Sequence, residues 1–346
     1  MRGGQASPTD TSAPSDVIGI WTSPAELARV PMSGDAWTEV LVAASEASGN
    51  QASVSDQDSN NNVQTLAAAI VHARAGTKTS KDKVVVACSK LASEGKPAGN
   101  TLAWARETGA YVMAADLVGY RTPEFEVWCR NMADIYVGTD GRTLRQMFEE
   151  RPNNWGAMAF GSLSAIYRYL RDTANLTAIR DYWVQLVEGP KPKLAVYGGP
   201  ERDLSWHADE SNPRLINPRD SVKRGINIDG ILPDDMRRGG PLRDPPGFTG
   251  YPWEAMQGFV TAARVLDRAG MPIWTVGDQA LYRAAYALQV RLGGGWDTSW
   301  MASGDDVWML AFLNKVYNTT WSSPATTSRT WGAGKIAGWG YVTLGE

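Results

Sequence analysis

Histidine, cysteine and phenylalanine are scarce in this chain of 346 residues, which carries two His, two Cys and six Phe. With only His72 and His207 available, a histidine-rich transition-metal site is excluded, and no Cys/His spacing suggests structural zinc. No metal site is therefore expected. Cys88 and Cys129 are too few for a disulfide framework, and two buried thiols are the expectation. Long hydrophobic runs are also missing: no stretch approaches the ~20 apolar residues that span a bilayer. A net charge of −3 gives nucleic acid no global attraction, so a polyanionic partner would need a local basic site.

Tryptophan and tyrosine, by contrast, are abundant, with 15 Trp and 12 Tyr against the six Phe. Their rings combine a flat apolar face with a polar edge. Such faces stack on the C–H surfaces of sugars. Most will be packing residues, but the bias as a population leans toward carbohydrate.

Residues 1–20 are polar and rich in Ser, Pro, Gly and Thr. They lack the apolar core of a signal peptide and read as a disordered lead-in or the remnant of a trimmed export signal. From Ser33 to Glu188 one helical pattern follows another. Spacing predicts helices over residues 35–47, 80–93, 100–120, 123–136, 153–170 and 176–187. Another, entered at Asn61 or Asn62, is ended by Gly76. His72 lies on its apolar stripe. Strand signals are few. Residues 189–248 change character: Pro and Gly are frequent and apolar periodicity is absent. A segment this long without helix is expected to be functional, partly β and laid over a site. Helices resume over 253–269, 278–291 and 305–317, and a Gly- and Trp-rich tail from Trp321 is expected to pack across the outside. Residues 21–346 read as a single all-α domain.

Two segments carry the chemistry. RPNNWGAMAFGSLSAIYRYL spans Arg151 to Leu170; INIDGILPDDMRRGGP spans Ile226 to Pro241 and is followed by GYPWEAMQGFVTAARVLDRAG from Gly250. Each sets amide, guanidinium or phenol beside a small-residue helix. Those groups suit proton abstraction next to a carboxylate, as at C5 of a uronic acid. Removing that proton builds charge on the carboxylate, which preorganised amides and Arg can neutralise. A tyrosine beside an arginine can take the proton and then protonate the departing C4 oxygen. The reaction needs no metal and no cofactor.

The Asn153–Asn154–Trp155 triplet resembles the Asn-Asn-His core motif of alginate lyases. Asp229, Gly230, Leu232, Pro233, Arg238, Gly239 and Tyr251 are similar to that family's Asp-Gly-x-Leu-Pro, Arg-Gly, then Tyr pattern. The match covers roughly Arg106 to Gly270. It implies an incomplete (α/α) toroid with a long cleft, eliminative cleavage of a uronate polymer, and an extracellular, monomeric protein with an anionic polysaccharide as partner. By that resemblance Asn154 neutralises the carboxylate with Arg238 assisting, and Tyr251 is base and acid. The chain departs from the pattern in two ways. Trp155 stands where the family has His, and PLRDPPGFTG is inserted between Arg238 and Tyr251. His207 could replace the missing histidine, and Tyr167 and Tyr197 stand as alternative phenols.

Asn153, Trp155, Trp206, Arg237, Trp253, Arg214 and Arg219 are expected to bind substrate. Arg214, Arg219, Lys223 and Arg224, opposed only by Asp220, form a local basic patch. Of the adjacent pair Arg237 and Arg238, one is expected to face the cleft while the other pairs with Asp234 or Asp235. Without a second base, substrates whose C5 proton and C4 oxygen are syn, glucuronate and mannuronate, should be preferred over guluronate. Two other classes remain open. A glycoside hydrolase would use paired carboxylates, either Asp229 with Asp234 or Asp235, or Asp305 with Asp306. A non-catalytic glycan binder would keep the fold alone.

Overall fold

The computed structural model describes residues 17–324 and 332–346, so most of the expected lead-in over residues 1–20 lies outside the described residues. Its last residues are held rather than free. The backbone N–H groups of Ile18, Gly19 and Ile20 all donate to the Asp116 carboxylate, each at 2.8 Å. Burial raises that carboxyl above its usual range, while the three N–H donors pull the other way.

Helices dominate. In chain order they are α1 Pro24–Leu27, α2 Asp35–Glu46, α3 Asn61–Ala75, α4 Lys78–Glu94, α5 Thr101–Leu117, α6 Pro123–Arg130, α7 Leu144–Glu150, α8 Asn154–Tyr169 and α9 Thr173–Glu188. Then come α10 Pro233–Met236, α11 Tyr251–Arg268, α12 Val276–Tyr286, α13 Gly293–Gly295 and α14 Trp308–Tyr317. A two-stranded antiparallel ribbon, β1 Val222–Lys223 with β2 Ile226–Asn227, lies inside the irregular segment. The starts are set by local chemistry. Asn100, Thr122, Asn153 and Asp172 each accept a backbone N–H of the first turn. Ser23 with Glu26 and Thr143 with Gln146 form reciprocal capping boxes. Gly76 ends α3 in the left-handed conformation.

The helices fall into two layers. Every residue of α5 is buried, and α3, α8 and α11 are buried over most of their length. These four pack in succession, α3 on α5, α5 on α8 and α8 on α11, while α2, α4, α7 and α9 flank them. Small residues permit the close crossings. A Cβ added at Gly258 of α11 would lie 2.1 Å from the Ala157 carbonyl oxygen of α8. No side chain larger than hydrogen fits there without moving a backbone.

The tail does not pack across the outside. Residues 332–339 run against the inner helices, with Ile336 fully buried against Gly109 and Gly161, while residues 340–345 pack on α1, α2 and α14. Asn62 Nδ2 donates to the Lys335 carbonyl at 2.9 Å, the Lys335 N–H donates to Gln257 Oε1 at 2.7 Å, and Trp339 Nε1 donates to the Val63 carbonyl at 2.9 Å. The Gly-rich composition suits a segment threaded where helices leave little room, rather than one draped over a surface.

Candidate functional site

The first turns of the inner helices meet at one end of the bundle. In α3, Asn62 Nδ2 donates to the Arg106 carbonyl of α5 at 3.1 Å. Arg106 reaches across to α11, where its Nη2 donates to Glu254 Oε2 at 2.7 Å. Asn154, the first residue of α8, donates its Nδ2 to the same Glu254 oxygen at 2.8 Å. Its backbone N–H donates to Asp235 Oδ1 of α10 at 2.9 Å. Two segments remote in sequence, α5 and α8, thus donate to one carboxylate on α11, and α3 and α10 each hold one of those donors from behind. The partial positive charge of helix N-termini adds to the attraction for an anion at this end.

The surroundings hold other acids back from ionising. Asp235 is buried, and burial, reinforced by Asp234 and Glu254, keeps its carboxyl well above the ordinary range. Asp306 is likewise raised by burial and then by Asp305; it accepts Gln257 Nε2 at 2.9 Å. Glu107, the neighbour of Arg106, is fully buried and pushed up to about 9, by burial first and by Asp56 second. Among the described residues, both Glu107 oxygens, Asn154 Oδ1, Asp235 Oδ2, Asn62 Oδ1 and Arg106 Nε have no protein hydrogen-bond partner. Native interiors rarely leave so many polar atoms unpaired, so their concentration here marks a place built for something other than packing.

Arg238 and Tyr251 come together beside this cluster. The Arg238 guanidinium carbon lies 4.0 Å from the centroid of the Tyr251 ring. Tyr251 is the first residue of α11 and so sits one helical turn before Glu254. The ten-residue insertion therefore loops out without separating the two. Arg237 turns the other way: its Nε donates to Asp234 Oδ1 at 3.1 Å and its Nη1 to Glu201 at 2.7 Å. The adjacent arginines diverge as expected, with Arg238 exposed and Arg237 committed to structure.

Several candidates from the sequence are not available to a ligand. His207 is 1% exposed; its Nε2 is 3.2 Å from Asp234 Oδ2 and its ring meets Tyr197 edge-on. Wrapped by its own segment, it fastens that segment to α10 and reaches no open face. Trp206 and Trp253 are buried, with their indole N–H groups donating to the Gly240 and Trp300 carbonyls at 2.8 and 2.7 Å. Neither offers a face to a sugar. Asn153 caps α8, accepting the Trp155 N–H at 3.1 Å. Trp155 is half-buried, with the Arg151 guanidinium 5.7 Å from its ring. Tyr167 is buried and donates to Asp134 at 2.8 Å, and Tyr197 is buried against His207, so Tyr251, half-buried, is the most accessible phenol of the three.

The expected basic patch is partly paired. Arg219 pairs with Asp278, and Lys223 pairs with Glu210 at 2.7 Å. Arg214 leans on the Val187 carbonyl at 3.5 Å. Asp229 is tied to Arg283 at 2.5 Å and Asp234 to His207 and Arg237, so neither forms the carboxylate pair considered above. Sequence reasoning missed Arg106, Glu107, Glu254 and Gln257. The signal was there: an Arg-Glu pair inside the otherwise small and apolar TLAWARETGAYVMAADL, and a Glu within the apolar run that starts α11. Neither a protein-family model nor a curated protein matches this chain.

Proposed function

We propose that the chain is a polysaccharide lyase that cleaves a uronic-acid polymer by β-elimination, on an incomplete (α/α) toroid formed by the two helical layers. The observation that carries this reading is the Arg238–Tyr251 pair at the start of α11, one turn from the Asn154–Glu254–Arg106 cluster. Asn154 is 1% exposed and its Nδ2 uses one of its two N–H groups on Glu254; binding must open this end of the bundle for the other to hold a substrate carboxylate. Glu254 orients that amide, and the Asp235 carboxyl holds the Asn154 backbone N–H. Tyr251 removes the C5 proton. The C–H electron pair becomes the C4–C5 double bond, the C4–O bond breaks, and the leaving oxygen takes the proton from Tyr251. Charge gathering on the substrate carboxylate is met by Asn154, Arg238 and the helix N-termini.

With His207 enclosed, one phenol has to serve both steps. This favours glucuronate or mannuronate, in which proton and leaving oxygen share a ring face. Tyr251→Phe should abolish elimination. Asn154→Ala and Arg238→Ala should lower kcat far more than they raise KM, by about 3–4 kcal/mol for each donor lost. A loss under about tenfold in kcat/KM with folding intact removes the assignment.

A glycoside hydrolase is the second reading, favoured by one observation. Glu254 takes the donors that a lyase would aim at substrate, and two carboxyls with raised proton affinity, Asp235 and Asp306, stand near it. A charged and a protonated carboxyl is the pairing that glycoside hydrolysis uses. Cleavage without an unsaturated product would favour it.

A further inference from the structure

A cleft of about 760 Å³ opens beside α12 and shares no lining residue with the Glu254 cluster. Its wall is an aromatic stack. Tyr286 and Tyr282 lie with ring centroids 6.0 Å apart at 30°, and Tyr282 continues onto Trp321 at 5.6 Å and 21°. Tyr286 is 41% exposed, and beyond Gly294 and Gly295 there is open space. The opposing side keeps one net positive charge, with Arg219, Arg283 and Arg291 against Asp229 and Asp278, and Arg219 meets Asp278 through its Nε. Arg283 is bound to Asp229, but Arg291 is only half used. Its Nη1 donates to Asn227 at 2.9 Å and its Nη2 to the Asp229 carbonyl at 2.6 Å, leaving one N–H on each, while Nε is buried.

Local winding brings these groups to one place. After Tyr286 the helix loosens into a π-turn over Ala287–Leu292. With i→i+5 bonding, Arg291 returns over Tyr286 instead of turning away as it would in an α-helix. A flat, exposed aromatic face beside a pre-oriented guanidinium fits a pyranose ring that carries a carboxylate.

We propose that this cleft is a separate, non-catalytic binding site for an acidic sugar unit, with the ring face on Tyr286, which Tyr282 backs from behind, and the carboxylate on Arg291 and Arg219. That the acid is a uronate of the polymer being cleaved rests on the lyase reading; the site itself does not. The test is calorimetric binding of a glucuronate hexasaccharide and of neutral cellohexaose to Asn154→Ala protein, with and without Tyr286→Ala or Arg219→Ala. Both added substitutions are at exposed side chains, and circular dichroism checks their folding. Tyr286→Ala should weaken the acidic oligosaccharide by about tenfold, the worth of one stacked ring. Arg219→Ala should weaken the acidic but not the neutral ligand. No binding of the hexaglucuronate, or affinities within about twofold of the parent for both variants, overturns the site. If affinity falls as expected while wild-type protein releases no unsaturated product, the site stands and the lyase reading fails.

Discussion

Glu107→Gln offers a direct reading of the electrostatics at the bundle end. Below about pH 4.5, the ordinary value, folded and unfolded chains both hold the Glu107 proton. Above it the unfolded chain releases the proton, while the folded chain keeps it to about pH 9, because burial and Asp56 oppose the charge. The folded state therefore binds more protons across this window, and Glu107 makes stability fall as pH rises. Each pH unit is worth 1.36 kcal/mol, so between pH 5 and pH 8 the contribution is on the order of 4 kcal/mol. Gln has nearly the same shape and no proton to lose. Asp235 and Asp306 slope in the same direction in both proteins and cancel in the comparison. Urea unfolding at a series of pH values should then show Glu107→Gln close to wild type at pH 5 and increasingly more stable toward pH 8. A stability difference that stays constant with pH would refute the reasoning, since it would mean that Glu107 ionises alike in both states.

Two further outcomes test the packing. Gly258→Ala should destabilise by about 1–3 kcal/mol in thermal or urea unfolding, because its methyl would press on the Ala157 carbonyl at the α8–α11 crossing; a neutral change would mean the helices separate freely. Cys88 and Cys129 are both buried, and burial raises both thiols, so neither should react with a thiol reagent until the chain is unfolded.

The helices were legible because their signals are local. Asn100, Thr122, Asn153 and Asp172 announce starts within three residues, and Gly76 an end, so most boundaries fall within a few residues of expectation. The short α7 and α10 lack a long apolar period and went unseen. The tail was misplaced because Gly and Trp signal an irregular backbone but not which surface it meets; only the gaps left by Gly109 and Gly161 reveal that. At the candidate site, the motif residues Asn154, Arg238 and Tyr251 are brought close, while the partners that orient Asn154 come from α10 and α11, and Arg106 from α5. No spacing rule links Arg106 to Glu254 across 148 positions, so their pairing is a product of the fold. Trp206, Trp253 and His207 misled because an amphipathic side chain is equally at home in a cleft or in a core that satisfies its N–H.

The central claim is elimination by a single phenol, and one measurement bears on it most directly. Wild-type and Tyr251→Phe proteins are incubated with glucuronan, mannuronate-rich alginate and guluronate-rich alginate, and the near-ultraviolet absorbance of a C4–C5 double bond is followed. The account predicts absorbance growing on the glucuronate or mannuronate polymer with wild type, little on guluronate, and none with Tyr251→Phe. Chain cleavage with new reducing ends but no absorbance, or undiminished elimination by Tyr251→Phe, would contradict it.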